Sequence, residues 1–111
     1  MLITLTTTGR KTGERRAVPL FAFDDGERLV IVGSRGGSAK EPAWAGNLRA
    51  DPRANVSRGD EAWTIRAYEA QGEERERLWL LVSAAFPLYE SYRQRTTRVI
   101  PVFVLEPSMG D

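Results

Sequence analysis

Histidine and cysteine are both absent from this sequence. Their absence removes the serine–histidine and cysteine–histidine nucleophilic arrangements, the usual zinc sites, disulfides and redox thiols, so no metal is expected. Any difficult chemistry then falls to a bound cofactor, with the protein supplying orientation and electrostatics. Long apolar runs are missing too. No segment approaches the ~20 residues a membrane-spanning helix needs, and Met1 to Leu5 is a strand-sized apolar start broken by threonine rather than a leader peptide. A cytoplasmic protein is the expectation. Excess charge of one sign is also lacking: 16 Lys and Arg against 15 Asp and Glu leave a formal net charge of +1. Basic segments are therefore local features of a balanced surface, and a nucleic-acid partner is not expected. Without repeats, linkers or low-complexity stretches, residues 1–111 read as a single domain. A chain of this size buries roughly two-thirds of its unfolded surface.

What the sequence does contain is a pair of basic, glycine-bearing loops between apolar runs. The first is Thr8-Gly9-Arg10-Lys11-Thr12-Gly13, with Arg15 and Arg16 just beyond. The second is Gly33-Ser34-Arg35-Gly36-Gly37, leading into Pro42-Ala43-Trp44-Ala45-Gly46-Asn47. Glycine lets the backbone turn tightly and brings amides close to an anion, while arginine and lysine add the charge a phosphate or carboxylate requires. Either loop alone reads equally as a solvated turn. Neither has the glycine spacing of a Walker or Rossmann motif. Together they point to a large anionic ligand lying along the surface.

Periodicity predicts a largely β chain. Leu2 to Thr7 alternates apolar residues with threonine, Ala17 to Phe23 is a second apolar run, and Leu29 to Val32 a third beyond the Asp24-Asp25-Gly26-Glu27 turn. These read as a three-stranded meander with the basic loops after its first and third strands. Pro42 to Ala50 reads as a short helix, and Ala54 to Ser57 with Ala62 to Ala70 as a hairpin across Arg58-Gly59-Asp60. A helix from about Glu73 to Phe86 has acidic residues at its start and an apolar stripe of Leu78, Leu81, Val82 and Ala85. Pro87 ends it and opens a second short helix through Arg95. Val99 to Leu105, apolar on both faces, is a central strand with an irregularity at Pro101. Strands interrupted by two helical segments fit a small antiparallel barrel with helices plugging its ends; ferredoxin-like α+β packing places the helices less well.

Three aromatic residues, Phe86, Tyr89 and Tyr92, recur at helical spacing and share one face. Such a face is ordinarily core, yet tyrosine keeps a polar tip and could line a pocket for a flat substrate. Trp44 and Asn47 lie three apart beside the second loop; Trp44 reads as core, and Asn47 as a surface residue or a local cap.

In combination these segments resemble the deazaflavin (coenzyme F420)-dependent nitroreductase family. The likeness runs through Leu5-Thr6-Thr7-Thr8-Gly9-Arg10-Lys11-Thr12-Gly13, Arg16 to Leu20, Val32 to Gly37, Pro42-Ala43-Trp44, Asn47-Leu48 and Arg98-Val99-Ile100-Pro101-Val102-Phe103. The resemblance implies a mainly β fold with α, a split β-barrel of the FMN-binding split-barrel type with about six antiparallel strands and short capping helices. It implies that Arg10, Lys11, Thr12 and Arg16 hold the phosphate and glutamyl tail of F420. Ala17, Val18, Pro19, Leu20 and Phe21 would run beside the deazaflavin, and Val32, Gly33, Ser34, Arg35, Ala43, Trp44 and Asn47 would complete the ring pocket. Phe86, Tyr89, Tyr92 and Phe21 would face the substrate. Tyr89 is the implied proton donor and Ser34 the group that polarises the acceptor.

The implied activity is reduction of a small-molecule acceptor, a quinone, enone or nitro-aromatic, by hydride from reduced F420. Two departures from the family stand out. Arg35 replaces a common lysine with another cation, and Phe86 replaces the tyrosine frequent in relatives that reduce nitro compounds. The N-terminal helical extension of many relatives is not present before the Leu5 motif, so membrane contact through it is not expected. FMN in the same barrel is the alternative cofactor, and an F420 carrier without turnover the alternative role. Split barrels occur as monomers and homodimers, and either state is compatible with this sequence.

Overall fold

A computed structural model of the chain describes residues 1–108; residues 109–111, the end of the expected domain, lie outside the described residues. The alternation in Leu2–Thr8 (β1) turns Ile3, Leu5 and Thr7 inward, and Arg15–Phe21 (β2) sets Leu20, Val18 and Arg16 opposite them in antiparallel register. A short strand Phe23–Asp25 (β3) turns at Gly26 into Arg28–Val32 (β4). After the second basic loop comes helix Ala43–Ala50 (α1), then the hairpin Arg53–Arg58 (β5) and Glu61–Glu69 (β6). Helices Gly72–Ala85 (α2) and Leu88–Arg95 (α3) follow, and Val102–Pro107 (β7) closes the described chain.

All pairings are antiparallel, in the order β2-β1-β5-β6-β7-β4-β3. This order corrects the expected meander. β2 and β3 lie at opposite edges of the sheet although a single residue, Ala22, separates them in sequence. The apolar run from Ala17 to Phe23 breaks there because Ala22 is fully buried and its N–H donates to the Met1 carbonyl (2.7 Å) rather than to a strand ladder. Two edges joined by one residue must come close together, so the sheet curls into a split barrel. The described residues give it seven strands where about six were expected.

Two cores share this sheet. Ile3, Leu5, Leu29, Ile31, Val56, Ile65, Phe103 and Leu105 fill the barrel, where Trp44, Ala45 and Leu48 of α1 enter as a plug. On the outer face Val30, Val102 and Val104 pack under Leu78, Trp79 and Val82 of α2 and Tyr89 of α3. β4 and β7 are thus covered on both sides, which is why their sequences are continuously apolar. β7 is central, between β6 and β4, as expected. It begins at Val102 rather than Val99: Val99 is exposed and Pro101, which has no N–H to donate, precedes the ladder. Its carbonyl still accepts the Gly33 N–H (2.9 Å). The buried stripe of α2 includes Trp79, missed by the periodicity, and leaves Ala85 exposed.

Candidate active site

A cavity of about 800 Å³ opens where β1, the first basic loop, the second basic loop and α1 meet. Its lining is Thr7, Gly9, Arg10, Lys11, Thr12, Arg16, Val18, Arg35, Glu41, Pro42, Ala43, Trp44 and Asn47. The first loop is the β1–β2 connection, closed by the Gly9 N–H to the Glu14 carbonyl (2.7 Å) and the Gly13 N–H to the Gly9 carbonyl (2.8 Å). Asn47, 6 % exposed, ties that loop to the helix: its Oδ1 accepts the Arg10 N–H (3.1 Å), and its Nδ2 donates to Thr7 Oγ1 (3.1 Å). The Arg10 guanidinium lies over Gly46, where a Cβ would collide with it.

The second loop is shaped differently. Arg35 has φ +48, the left-handed region that side chains rarely occupy, and is followed by Gly36 and Gly37 at φ +65 and +81. Gly37 also touches α3: a Cβ there would stand 3.0 Å from the Tyr92 carbonyl oxygen. The loop therefore has the cavity on one side, at Arg35, and α3 on the other. Arg98 fastens it from behind, with Nε donating to the Ser38 carbonyl (2.8 Å) and Nη2 to the carbonyls of Gly33 (3.0 Å) and Ser34 (2.8 Å).

The electrostatics favour an anion. Arg10, Lys11, Arg16 and Arg35 bring four cations to the lining. Among the described residues, Arg16 alone of these pairs with a carboxylate, the exposed Glu14 at 3.2 Å. Glu41, the acidic residue of the lining, is engaged by Arg49 (2.6 Å), which also holds Glu69 (2.8 Å). Those two carboxylates, Glu69 foremost, keep the Arg49 guanidinium firmly charged. Beside the cations, Val18, Pro42, Ala43 and Trp44 form an apolar wall. Trp44 is fixed edge-on against Phe103 (5.7 Å). A wall for a flat ring with cations around it suits a group that combines an aromatic ring system and an anionic tail.

Of the expected cofactor residues, Arg10, Lys11, Thr12, Arg16, Val18, Arg35, Ala43, Trp44 and Asn47 come together in this lining. Val32, Gly33 and Ser34 lead up to it without lining it, and Ser34 is buried. Leu20 packs toward the barrel core, whereas Ala17, Pro19 and Phe21 (63 % exposed) lie on the outer face of β2. The aromatic trio does cluster, with Phe86 4.9 Å and Tyr92 6.1 Å from Tyr89 between ring centres. It lies outside the cavity lining, across the second loop. Tyr89 is 7 % exposed and wedged against Phe23 (5.9 Å) and Trp79 (6.2 Å). Burial pushes its hydroxyl above the ordinary phenol value, with Tyr92 adding to the effect. Four lining residues had no site role assigned from the sequence: Thr7, Gly9 and Pro42, which stand within its motifs, and Glu41, which does not. Thr7 carried a signal, being the polar member that ends the inward series Ile3, Leu5, Thr7. Arg98 carried another, as the one charge leading the apolar run to Phe103.

A curled antiparallel barrel with a cationic cavity at the mouth defines a split-barrel cofactor-binding protein. Comparison with known proteins makes this specific. An F420H(2)-dependent quinone reductase of Mycobacterium tuberculosis is 36% identical over 104 residues, covering 91% of this chain and 70% of that protein. A solved F420-H2 dependent reductase superposes with a TM-score of 0.85 at 40% identity, covering 95% of this chain and 93% of that one. Another solved structure, described as a domain-swapped dimer, has a TM-score of 0.86 at 40% identity, covering 95% and 79%. The chain belongs to the F420H(2)-dependent quinone reductase family, whose model it matches over residues 1–107. It is an oxidoreductase, and coenzyme F420 is its cofactor. Among the described residues no helix is long and apolar enough to cross a membrane.

Proposed function

We propose that this protein reduces a quinone, with F420 seated in the cavity between the two basic loops. The observation that carries the reading is the joining of four cations to the apolar wall of Trp44, Ala43, Pro42 and Val18 in one cavity. When bound, reduced F420 supplies the hydride. Arg10, Lys11 and Arg16 hold its anionic tail, with Thr12 beside them, and Arg35 adds charge from the opposite loop. Trp44, Ala43 and Asn47 support the ring, and the wall excludes water from one of its faces.

The acceptor approaches from the side of the second loop and α3. Phe86, 37 % exposed, offers that acceptor an apolar ring without a hydroxyl, which favours a quinone over a nitro compound. Ser34 and Tyr89 are the groups assigned to the acceptor, Ser34 polarising its oxygen and Tyr89 donating a proton. Burial keeps that proton on the Tyr89 oxygen through neutral pH, so the hydroxyl meets the acceptor with a proton to give.

Fluorescence titration with oxidised F420, with FMN in parallel, tests the cofactor assignment. Binding of F420 in preference to FMN is expected, and a preference for FMN would remove it. Turnover with a matched panel of quinones, enones and nitro-aromatics then tests the acceptor; faster reduction of the nitro compounds would refute the quinone assignment. Tyr89→Phe is expected to lower turnover about a hundredfold, the lower end of the range for loss of a proton donor, with F420 affinity and melting temperature unchanged. Unaltered turnover would make Tyr89 a packing residue.

A further inference from the structure

Arg98 opens the tail segment Arg98 to Phe103, yet it does not line the cavity between the basic loops and pairs with no carboxylate among the described residues. It lies between α3 and β7, sixty or more positions along the chain from the three carbonyls it holds. Those carbonyls sit at both ends of the second loop: Gly33 and Ser34 at its entry, Ser38 at its exit. Nη1 is buried and has no protein partner. Burial lowers the guanidinium from its ordinary value, with Glu41 opposing and Arg35 adding to the effect. A part-buried cation directed only at backbone carbonyls is an expensive arrangement for a role in packing alone.

The peptide plane supplies the consequence. In a trans peptide the C=O of one residue and the N–H of the next point in opposite directions. With the Gly33 and Ser34 carbonyls turned to Arg98, the Ser34 and Arg35 amides are turned away from it. Neither amide donates to a protein acceptor among the described residues. Ser34 at φ −71, ψ −37 followed by Arg35 at φ +48 is the succession that makes neighbouring amides converge.

We propose that Arg98 is a positioning residue for cofactor binding: by clasping the neck of the second loop it presents the Ser34 and Arg35 amides and holds Arg35 over the cavity. The inference rests on the reading that this loop faces F420. Arg98 acts through the loop and touches neither cofactor nor acceptor.

Three Arg98 variants, one control variant and one spectrum test it. Arg98→Met keeps the bulk and loses the charge; oxidised F420 is expected to bind about tenfold more weakly, on the scale of a lost charge-assisted contact. Arg98→Lys keeps the charge without the fork, so it should recover only part of that loss. In Arg98→Ala, low-millimolar guanidinium should restore F420 affinity, whereas it should do nothing for Lys11→Ala. At that concentration the ion is too dilute to act as a denaturant, so recovery confined to Arg98→Ala reports refilling of the Arg98 site. In cofactor-free protein, the Ser34 and Arg35 amide resonances should move between wild type and Arg98→Lys while those of residues 9–13 stay in place. Wild-type affinity in both Arg98→Met and Arg98→Lys, or unmoved Ser34 and Arg35 amides, would overturn the proposal. If Arg98→Met does not fold, Arg98→Lys and the amide spectrum carry the decision. Failure of wild type itself to bind F420 would instead sink the reading of the loop, a result separable from the amide shifts.

Discussion

The two basic loops look alike in sequence and are built in opposite ways. The first, between β1 and β2, is an ordinary hairpin connection whose charges lie on exposed side chains, tied to the protein body chiefly by Asn47. The second carries a single cavity-facing cation but is shaped by three successive left-handed residues and clasped by Arg98. The first supplies charge, which tolerates imprecise placement because Coulomb attraction falls off slowly. The second supplies shape, which does not, because hydrogen bonds weaken steeply with misalignment. An anionic tail and a flat ring need these two kinds of site.

The contrast can be broken most severely at Gly37. Alanine there must adopt φ +81 and push its methyl against the Tyr92 backbone and Arg95. A loss of about 2–3 kcal/mol is expected, from strain and crowding together. Chemical denaturation measures it, and a loss under ~1 kcal/mol would show that the second loop is not rigidly shaped. Asn47→Ala attacks the tether of the first loop. It leaves the buried Thr7 hydroxyl and the Arg10 N–H without their partner, at about 1–3 kcal/mol, and F420 affinity should fall with stability. Unchanged affinity would detach Asn47 from the site.

Asp25 offers a control remote from both loops. Hydrogen bonds from Arg77 and Arg28 lower its carboxyl from 3.8 to about 2 in the folded protein. Its stabilising contribution is thus complete above the unfolded value and disappears as pH falls from about 4 through about 2. After allowance for solvent screening that contribution is about 1 kcal/mol. Asp25→Asn should flatten the stability profile in that window and leave F420 binding alone; an undiminished slope would assign the acid sensitivity elsewhere. The smallest stability change is expected from Gly46→Ala. Alanine favours a helix interior by about 0.8–1 kcal/mol, but its methyl must displace the flexible end of Arg10. Stability should hold or rise while F420 affinity drops a few-fold. Unaltered affinity would show that Arg10 need not lie across α1.

Much of this protein was legible before its fold was known. β1 was readable because threonine alternates with apolar side chains, α2 because of its acidic start and apolar repeat, and β7 as central because both of its faces are apolar. The cationic residues of the cavity could be named because two glycine-bearing basic loops occur together; either alone reads equally as a solvated turn. The break at Ala22 was not legible. Nothing in the run Ala17 to Phe23 distinguishes a continuous strand from two strands at opposite edges of a curled sheet, since strand propensity is local and closure is not. The surroundings of Tyr89 were only half legible: helical spacing put Phe86, Tyr89 and Tyr92 on one face and offered core or pocket lining, without a record of what that face meets.

By itself, then, the sequence determined the type of each element, the absence of histidine and cysteine chemistry, and the charges available to an anionic ligand. These depend on periodicity and side-chain identity, properties of neighbouring residues. Only the tertiary structure decided that β2 and β3 lie at opposite edges, that the two basic loops face one cavity, that the aromatic trio lies across the second loop from it, and that Arg98 clasps that loop. Each of these depends on residues far apart in the sequence, as Arg98 and Gly33 are at sixty-five positions, and is set by how the sheet curls and which faces it buries.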